Sequence, residues 1–88
     1  MKVSICEDVV SEVAEGEVVL LDLKRGVYYA LDHVGSRFWG LLQAGSDLDH
    51  ARASLLAEYD VAPEQLGRDL DRLLEDLAEH GLVERHGG

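Results

Sequence analysis

The residues that most often carry chemistry in a small protein are scattered along this sequence. Its four histidines and single cysteine form no H-x-x-x-H pair and no C-x-x-C pair. Zinc ligands usually occur in such closely spaced pairs. Cys6 has no local signature of a nucleophile, so we interpret it as a small, partly buried apolar residue. We predict no metal site, no cofactor and no catalytic residue.

Carboxylates are the commonest candidates for acid–base chemistry, because 18 residues are Asp or Glu. Near the C-terminus they recur at positions that place them on the outer face of an amphipathic helix, where solvation is the usual role of a charge. These residues are Glu64, Asp69, Asp71, Glu75, Asp76 and Glu79. Carboxylates in such numbers could pair for acid–base work, but none of them forms a catalytic constellation with other residues, so we predict that the protein is not an enzyme.

The segment Gly45-Ser46-Asp47-Leu48 supports one alternative, an acyl carrier-like protein, because such proteins are small and acidic and carry a modified serine. Their motif reads Asp-Ser-Leu, in a different order. A first third rich in strand-forming residues also does not fit a four-helix bundle. An intact-mass measurement tests this alternative, which requires a phosphopantetheine adduct on Ser46.

The net charge of −10 is spread along the chain and should repel phosphate backbones and anionic membranes. No stretch resembles a secretory segment or a membrane span, so we expect a cytoplasmic protein without nucleic acid or membrane among its partners. A winged-helix DNA-binding protein is a second alternative. Acidity argues against it, since the last predicted helix has only Arg68 and Arg72 among six acidic residues.

The elements that position these residues are strands first and helices afterwards. Three strands are predicted. The first runs from about Val9 to Val13, the second ends at Leu23, and the third runs from Val27 to Leu31. A three-residue hairpin loop, Lys24-Arg25-Gly26, would place Leu23 opposite Val27. That register makes one face wholly apolar, with Val19, Leu21, Leu23, Val27, Tyr29 and Leu31. Tyr29 is then mainly structural, and Tyr28 is partly exposed.

Three helices follow the strands. Asp32 is the predicted N-cap of the first, which ends at Gly45. Ser46 opens the second with a capping box, and Pro63 begins a third that stops before Gly81. The last five residues are predicted to fray. The expected fold class is therefore α+β, a three-stranded antiparallel β-meander followed by three α-helices in one domain.

The third strand, Val27–Leu31, carries no charge, although exposed edge strands usually carry charges that block pairing with other chains. The first strand has such charges at Glu7, Asp8, Glu12 and neighbouring positions. The third strand's edge could be covered by the last helix. Alternatively, it could be left open for a peptide that adds as a fourth strand.

Three segments in succession resemble the PqqD-like family: GVYYALDHVGSRFWGLL, GSDLDHARASLLAEYDV and LGRDLDRLLEDLAEHGLV. The match runs from about Val9 to Val83, and the short acidic form is similar to stand-alone leader-binding proteins of lasso-peptide gene clusters. The family often has asparagine at Asp32, but aspartate caps a helix equally well. The resemblance implies a RiPP recognition element over residues 1–88, with a core of about 9–83 and a winged helix-turn-helix-like fold.

The resemblance further implies that the leader segment of a ribosomally made precursor peptide adds to the third strand, against the third helix. The expected site is Val27, Tyr28, Tyr29, Ala30, Leu31, Leu66, Asp69, Leu70, Arg72, Leu73 and Asp76. The leucines would contact apolar side chains, and Asp69, Arg72 and Asp76 would form a polar rim. The competing interpretation is an ordinary amphipathic helix with buried leucines and solvated charges. A leader peptidase and an ATP-dependent macrocyclase are the other partners that the resemblance implies.

Overall fold

The computed structural model describes residues 2–45 and 47–86. Its elements are β1 (Lys2–Ile5), β2 (Val9–Ala14), β3 (Glu17–Asp22), β4 (Val27–Ala30), α1 (His33–Gln43), α2 (Leu48–Glu58), α3 (Pro63–Glu79) and β5 (Val83–His86). Strands β2, β3 and β4 form an antiparallel sheet with β3 in the middle, and β1 pairs with β5 in a second sheet. The α+β class, the meander and the three helices are confirmed. The winged helix-turn-helix-like arrangement stays a prediction.

The two-stranded sheet was not predicted, and the expectation of a frayed C-terminus is wrong for residues 84–86. Ile5 pairs with Val83, and Lys2 pairs with His86. Leu82 and Val83 are buried, and Gly81 adopts a φ of 72° that lets the chain turn back after α3. The remaining β5 residues are exposed, so the strand has almost no hydrophobic pattern that could reveal it.

The hairpin between β3 and β4 has a four-residue loop, Leu23–Gly26, where three residues were predicted. Asp22 therefore pairs with Val27. The Asp22 carboxylate accepts hydrogen bonds from the backbone N–H groups of Lys24 and Arg25 at 3.0 and 3.1 Å. Its backbone carbonyl accepts from Gly26 N–H at 2.8 Å. The loop is thus closed by hydrogen bonds to the carboxylate and the backbone carbonyl of Asp22.

This one-residue shift inverts the predicted face of β3. Leu20 is fully buried, whereas Leu23, predicted in the core, is 68% exposed. The faces of β4 are as predicted, because Tyr29 now pairs with Leu20 and lies on the core side. Tyr28 is 70% exposed on the opposite face.

Helix starts follow the predicted capping chemistry in part. The Asp32 carboxylate caps α1 by accepting from Gly35 N–H at 2.7 Å, as predicted. Asp47 caps α2 through His50 N–H at 2.8 Å, and the capping box predicted at Ser46 lies outside the described residues. α3 begins with Pro63 as predicted. None of these helices is long and apolar enough to cross a bilayer.

The core has two parts, and α3 contributes to both. Between the helices lie Phe38, Leu41, Leu42, Ala51, Leu55, Leu66, Leu70 and Leu74. Between the sheets and the helices lie Leu20, Leu31, Trp39, Leu77, Leu82 and Val83. Leu73 is partly buried and packs against both groups. The α3 helix is therefore held firmly from one side and can present Leu73 on its flank.

The Asp22 carboxylate should make stability depend on pH. Its hydrogen bonds, foremost that from the Arg25 backbone N–H, hold its pKa below the usual value. The ionised group therefore stabilises the fold above its unfolded pKa of about 3.9, and this contribution is lost as pH falls through the folded pKa. We expect Asp22→Asn to lower the melting temperature at neutral pH, and the deficit to shrink below about pH 4.

Thermal melts of Asp22→Asn and the parent across this pH range check the prediction. Asp71→Asn is the matched control, because it makes the same charge change on an exposed face of α3. A deficit for Asp22→Asn that is equally large at acidic and neutral pH would contradict this role of the carboxylate.

Candidate functional site

Strand β4 is the outermost strand of its sheet, and no other strand of the described chain pairs with its second edge. The Leu31 N–H donates to the Val18 carbonyl at 2.9 Å. Because antiparallel hydrogen bonds alternate along a strand, the N–H and C=O of Tyr29 also point toward β3, and those of Tyr28 and Ala30 point outward. The free edge thus presents two donors and two acceptors.

A cavity of about 350 Å³ lies beside this edge, between β4 and the N-terminal half of α3. It is mainly apolar, with the carboxylates of Asp32 and Asp69 at its margin. The lining residues are Tyr29, Ala30, Leu31, Asp32, Val34, Gly35, Tyr59, Val61, Leu66, Asp69, Leu70 and Leu73. Such a cavity suits an apolar side chain with a hydrogen-bond donor or positive charge nearby.

The sequence-predicted site residues divide into two groups in the structure. Those that line the cavity are Tyr29, Ala30, Leu31, Leu66, Asp69, Leu70 and Leu73. Those outside the lining are Val27, Tyr28, Arg72 and Asp76. Arg72 is exposed, Tyr28 lies on the outer sheet face, and Asp76 faces Tyr29. The polar margin of the cavity is therefore formed by Asp69 and Asp32.

Asp76 joins the strand to the helix at one end of the cavity. Its carboxylate accepts a hydrogen bond from the Tyr29 hydroxyl at 3.3 Å. The Tyr29 ring also meets the His80 ring edge-on, with centroids 5.3 Å apart. Burial, followed by the nearby Asp76 charge, raises the pKa of Tyr29. Asp76 is thus occupied by a contact within the protein.

Sequence reasoning missed the lining residues that come from the first two helices and the segment after α2. Gly35 lines the cavity, and a β-carbon at this position would come within 3.1 Å of the Asp32 carboxylate. Tyr59 ends α2 in an extended conformation, and its ring packs edge-on against His33. Periodicity could not reveal these residues, because their proximity depends on how α1, α2 and α3 pack.

The two tyrosines of β4 should differ in their effect on stability. Tyr29 is partly buried and hydrogen-bonded, so we expect Tyr29→Ala to cost about 2 kcal/mol, less than a fully buried aromatic residue. Tyr28→Ala should change stability by less than about 0.5 kcal/mol, because the side chain is 70% exposed. Urea denaturation of both variants measures the difference. The assignment of faces is wrong if Tyr28→Ala is the more destabilising change.

The fold and the charges of α3 give little support to the two alternatives, an acyl carrier-like protein and a DNA-binding protein. An acyl carrier-like four-helix bundle differs from this fold, which contains two antiparallel sheets. A DNA-binding recognition helix requires a basic surface, whereas α3 exposes Glu64, Asp69, Asp71, Glu75 and Glu79. Over residues 2–45 and 47–86, no group of three or more His, Cys, Asp or Glu side chains could hold a metal ion.

Comparison with known proteins identifies the family. The family model described as Coenzyme PQQ synthesis protein D (PqqD) matches residues 17–83. A solved structure described as TbiB1 in complex with the TbiA(beta) leader peptide is 41% identical, with a TM-score of 0.88 over 100% of both chains. A second, described as lasso peptide synthetase B1 complexed with the leader peptide, is 22% identical. The match covers 97% of this chain and 100% of that one, and its TM-score of 0.86 shows that the two proteins have the same fold.

No curated protein matches the sequence. The matched family segment nevertheless includes β3, β4 and all three helices, and therefore both walls of the cavity. The sequence-based assignment is confirmed, and the chain belongs to the PqqD family.

Proposed function

We propose that this protein binds the leader segment of a ribosomally made precursor peptide as a strand added to β4, against α3. The observation that carries the proposal is the free edge of β4 beside an apolar cavity. The 41% identical relative, described as a complex with a leader peptide, supports it. The domain over residues 1–88 would then be one RiPP recognition element of winged helix-turn-helix-like form.

In this proposal the backbone supplies affinity and the cavity supplies specificity. The outward N–H and C=O groups of Tyr28 and Ala30 pair with the leader backbone. Side chains alternate along an added strand, so every second residue of the leader faces Leu73 and the cavity. Leu66, Leu70 and Leu73 contact those apolar side chains, and the remaining leader residues extend the outer sheet face.

Electrostatics favours a leader with a cation or a hydrogen-bond donor near its apolar anchor. Asp69 is exposed at the cavity margin, where its carboxylate accepts a hydrogen bond from Gln65 Nε2 at 3.0 Å. Asp32 contributes a second carboxylate to the lining. The net charge of −10 would speed association with a cationic peptide, and added salt should slow it.

The biological role that follows is that of a non-catalytic adaptor in the cytoplasm. By binding the leader, the protein would deliver the precursor to a leader peptidase and to an ATP-dependent macrocyclase during lasso-peptide maturation. The support for this role is family membership and the leader-bound relative.

Titration with fluorescently labelled leader peptide, taken from the neighbouring precursor gene, tests the proposal. We expect saturable binding of the leader and at least about tenfold weaker binding of a scrambled peptide of the same composition. A short DNA duplex of random sequence serves as a probe for the DNA-binding alternative. Leader and scrambled peptides that bind equally, or a duplex that binds better than the leader, would contradict the proposal.

A further inference from the structure

Arg25, in the loop between β3 and β4, connects that hairpin to the end of α3. Its Nε donates a hydrogen bond to Asp22 Oδ2 at 3.0 Å. Its Nη2 donates to the backbone carbonyl of His80, the C-cap residue of α3. One guanidinium group therefore connects the end of β3 to the C-cap of α3, and β3 is the partner strand of β4 in the hairpin.

The surroundings of Arg25 are shaped for this bridge. The nearly buried Asp22 carboxylate also accepts the Arg25 backbone N–H, so it orients both the loop and the side chain. Gly81, the residue after His80, lies beside the Arg25 guanidinium, and its φ of 72° favours glycine. A positive charge at the C-terminus of a helix is further stabilised by the helix dipole.

The bridge lies outside the cavity lining, at the C-terminal end of α3. Arg25 and Tyr29 of the hairpin hydrogen-bond to His80 and Asp76 of α3. Toward the start of α3, by contrast, the cavity separates β4 from Leu66 and the following turns of the helix. These contacts therefore hold the hairpin to the last turn of α3, beyond the part of the helix that lines the cavity.

We propose that Arg25 is a positioning residue for peptide binding, although it lies outside the cavity: its bridge from Asp22 to the His80 carbonyl fixes the spacing between β4 and α3. The inference rests on the proposed function. Without the bridge the spacing varies among molecules, and only those with the correct spacing bind the leader. The apparent Kd then rises by the inverse of that fraction.

Arg25→Ala, compared with Lys24→Ala, tests this role. The two variants make the same charge change in the same loop, but Lys24 contributes its backbone N–H to the Asp22 contact, and alanine keeps that group. We expect Arg25→Ala to raise the leader Kd about tenfold and Lys24→Ala to leave it within about twofold of the parent. Arg25→Lys should fall between them, because an ammonium group lacks the planar fork that reaches two acceptors.

A distance measurement separates positioning from general destabilisation. Spin labels at Leu23→Cys and Glu79→Cys, in a Cys6→Ser background, report the spacing between the hairpin and the end of α3. We expect a broader distance distribution in Arg25→Ala and an unchanged one in Lys24→Ala. If Arg25→Ala fails to fold, the same two measurements on Arg25→Lys decide.

Equal leader Kd values for the arginine and lysine variants would overturn the inference, and so would weaker binding by Arg25→Ala with an unchanged distance distribution. A parent protein that does not bind the leader would instead refute the proposed function. In that case the distance distributions alone still decide whether Arg25 fixes the spacing between the hairpin and the end of α3.

Discussion

Ala30→Pro is expected to weaken leader binding by about 100-fold while leaving the domain folded. The N–H of Ala30 points away from β3, so its loss removes no hydrogen bond of the existing sheet. Proline is tolerated at such edge positions. It also favours an extended conformation in the residue before it, and Tyr29 is already extended because it belongs to β4. The leader, however, loses a backbone donor and meets the proline ring.

Two controls make this prediction specific. Ala30→Val changes the side chain but keeps the N–H group, so it should bind the leader within a few fold of the parent. Tyr29→Pro removes a hydrogen bond to β3 and should unfold the strand. Circular dichroism and leader affinity are measured together for each variant. A folded Ala30→Pro variant that binds as tightly as the parent would count against strand addition.

The second large effect is expected at Leu73, the partly buried leucine that faces the cavity from α3. Leu73→Glu removes apolar contact area and places a charge where the leader would exclude water. We expect at least about a 100-fold loss of affinity, which corresponds to roughly 2.7 kcal/mol. Isothermal titration at a temperature where the variant is folded measures the loss.

Arg72→Gln is the matched control for Leu73→Glu. It makes the same one-unit change in net charge one position earlier on α3, but Arg72 lies outside the cavity lining. Its leader affinity should stay within about threefold of the parent. Equal losses in the two variants would mean that charge, not contact with the cavity, governs binding at this helix.

Local signals in the sequence predicted the elements that build the site. The uncharged β4 strand, the Asp32 cap and the leucine periodicity of α3 each depend on neighbouring residues, and each is present in the structure. The register of β3 against β4 failed, because the pattern of apolar residues fits two loop lengths. The choice between them depends on the Asp22 carboxylate, which closes the longer loop.

Long-range features of the site could not be predicted in this way. The bridge from Arg25 to His80 joins residues 55 positions apart, and neither residue has a pattern that indicates the other. Tyr59 and Val61 reach the cavity only because α2 packs against its neighbouring helices. The sheet of β1 and β5 joins the two ends of the described chain, and its partner strand β5 has little hydrophobic pattern, although Val3 and Ile5 alternate with polar residues in β1.

Amide hydrogen exchange resolved by NMR tests the central claim, strand addition at β4, most directly. In the free protein the N–H groups of Tyr29 and Leu31 should exchange slowly, because they face β3, and those of Tyr28 and Ala30 should exchange fast. Saturating leader peptide should slow exchange at Tyr28 and Ala30 and leave the other two little changed. Exchange at Tyr28 and Ala30 that stays fast in the saturated complex would contradict the account.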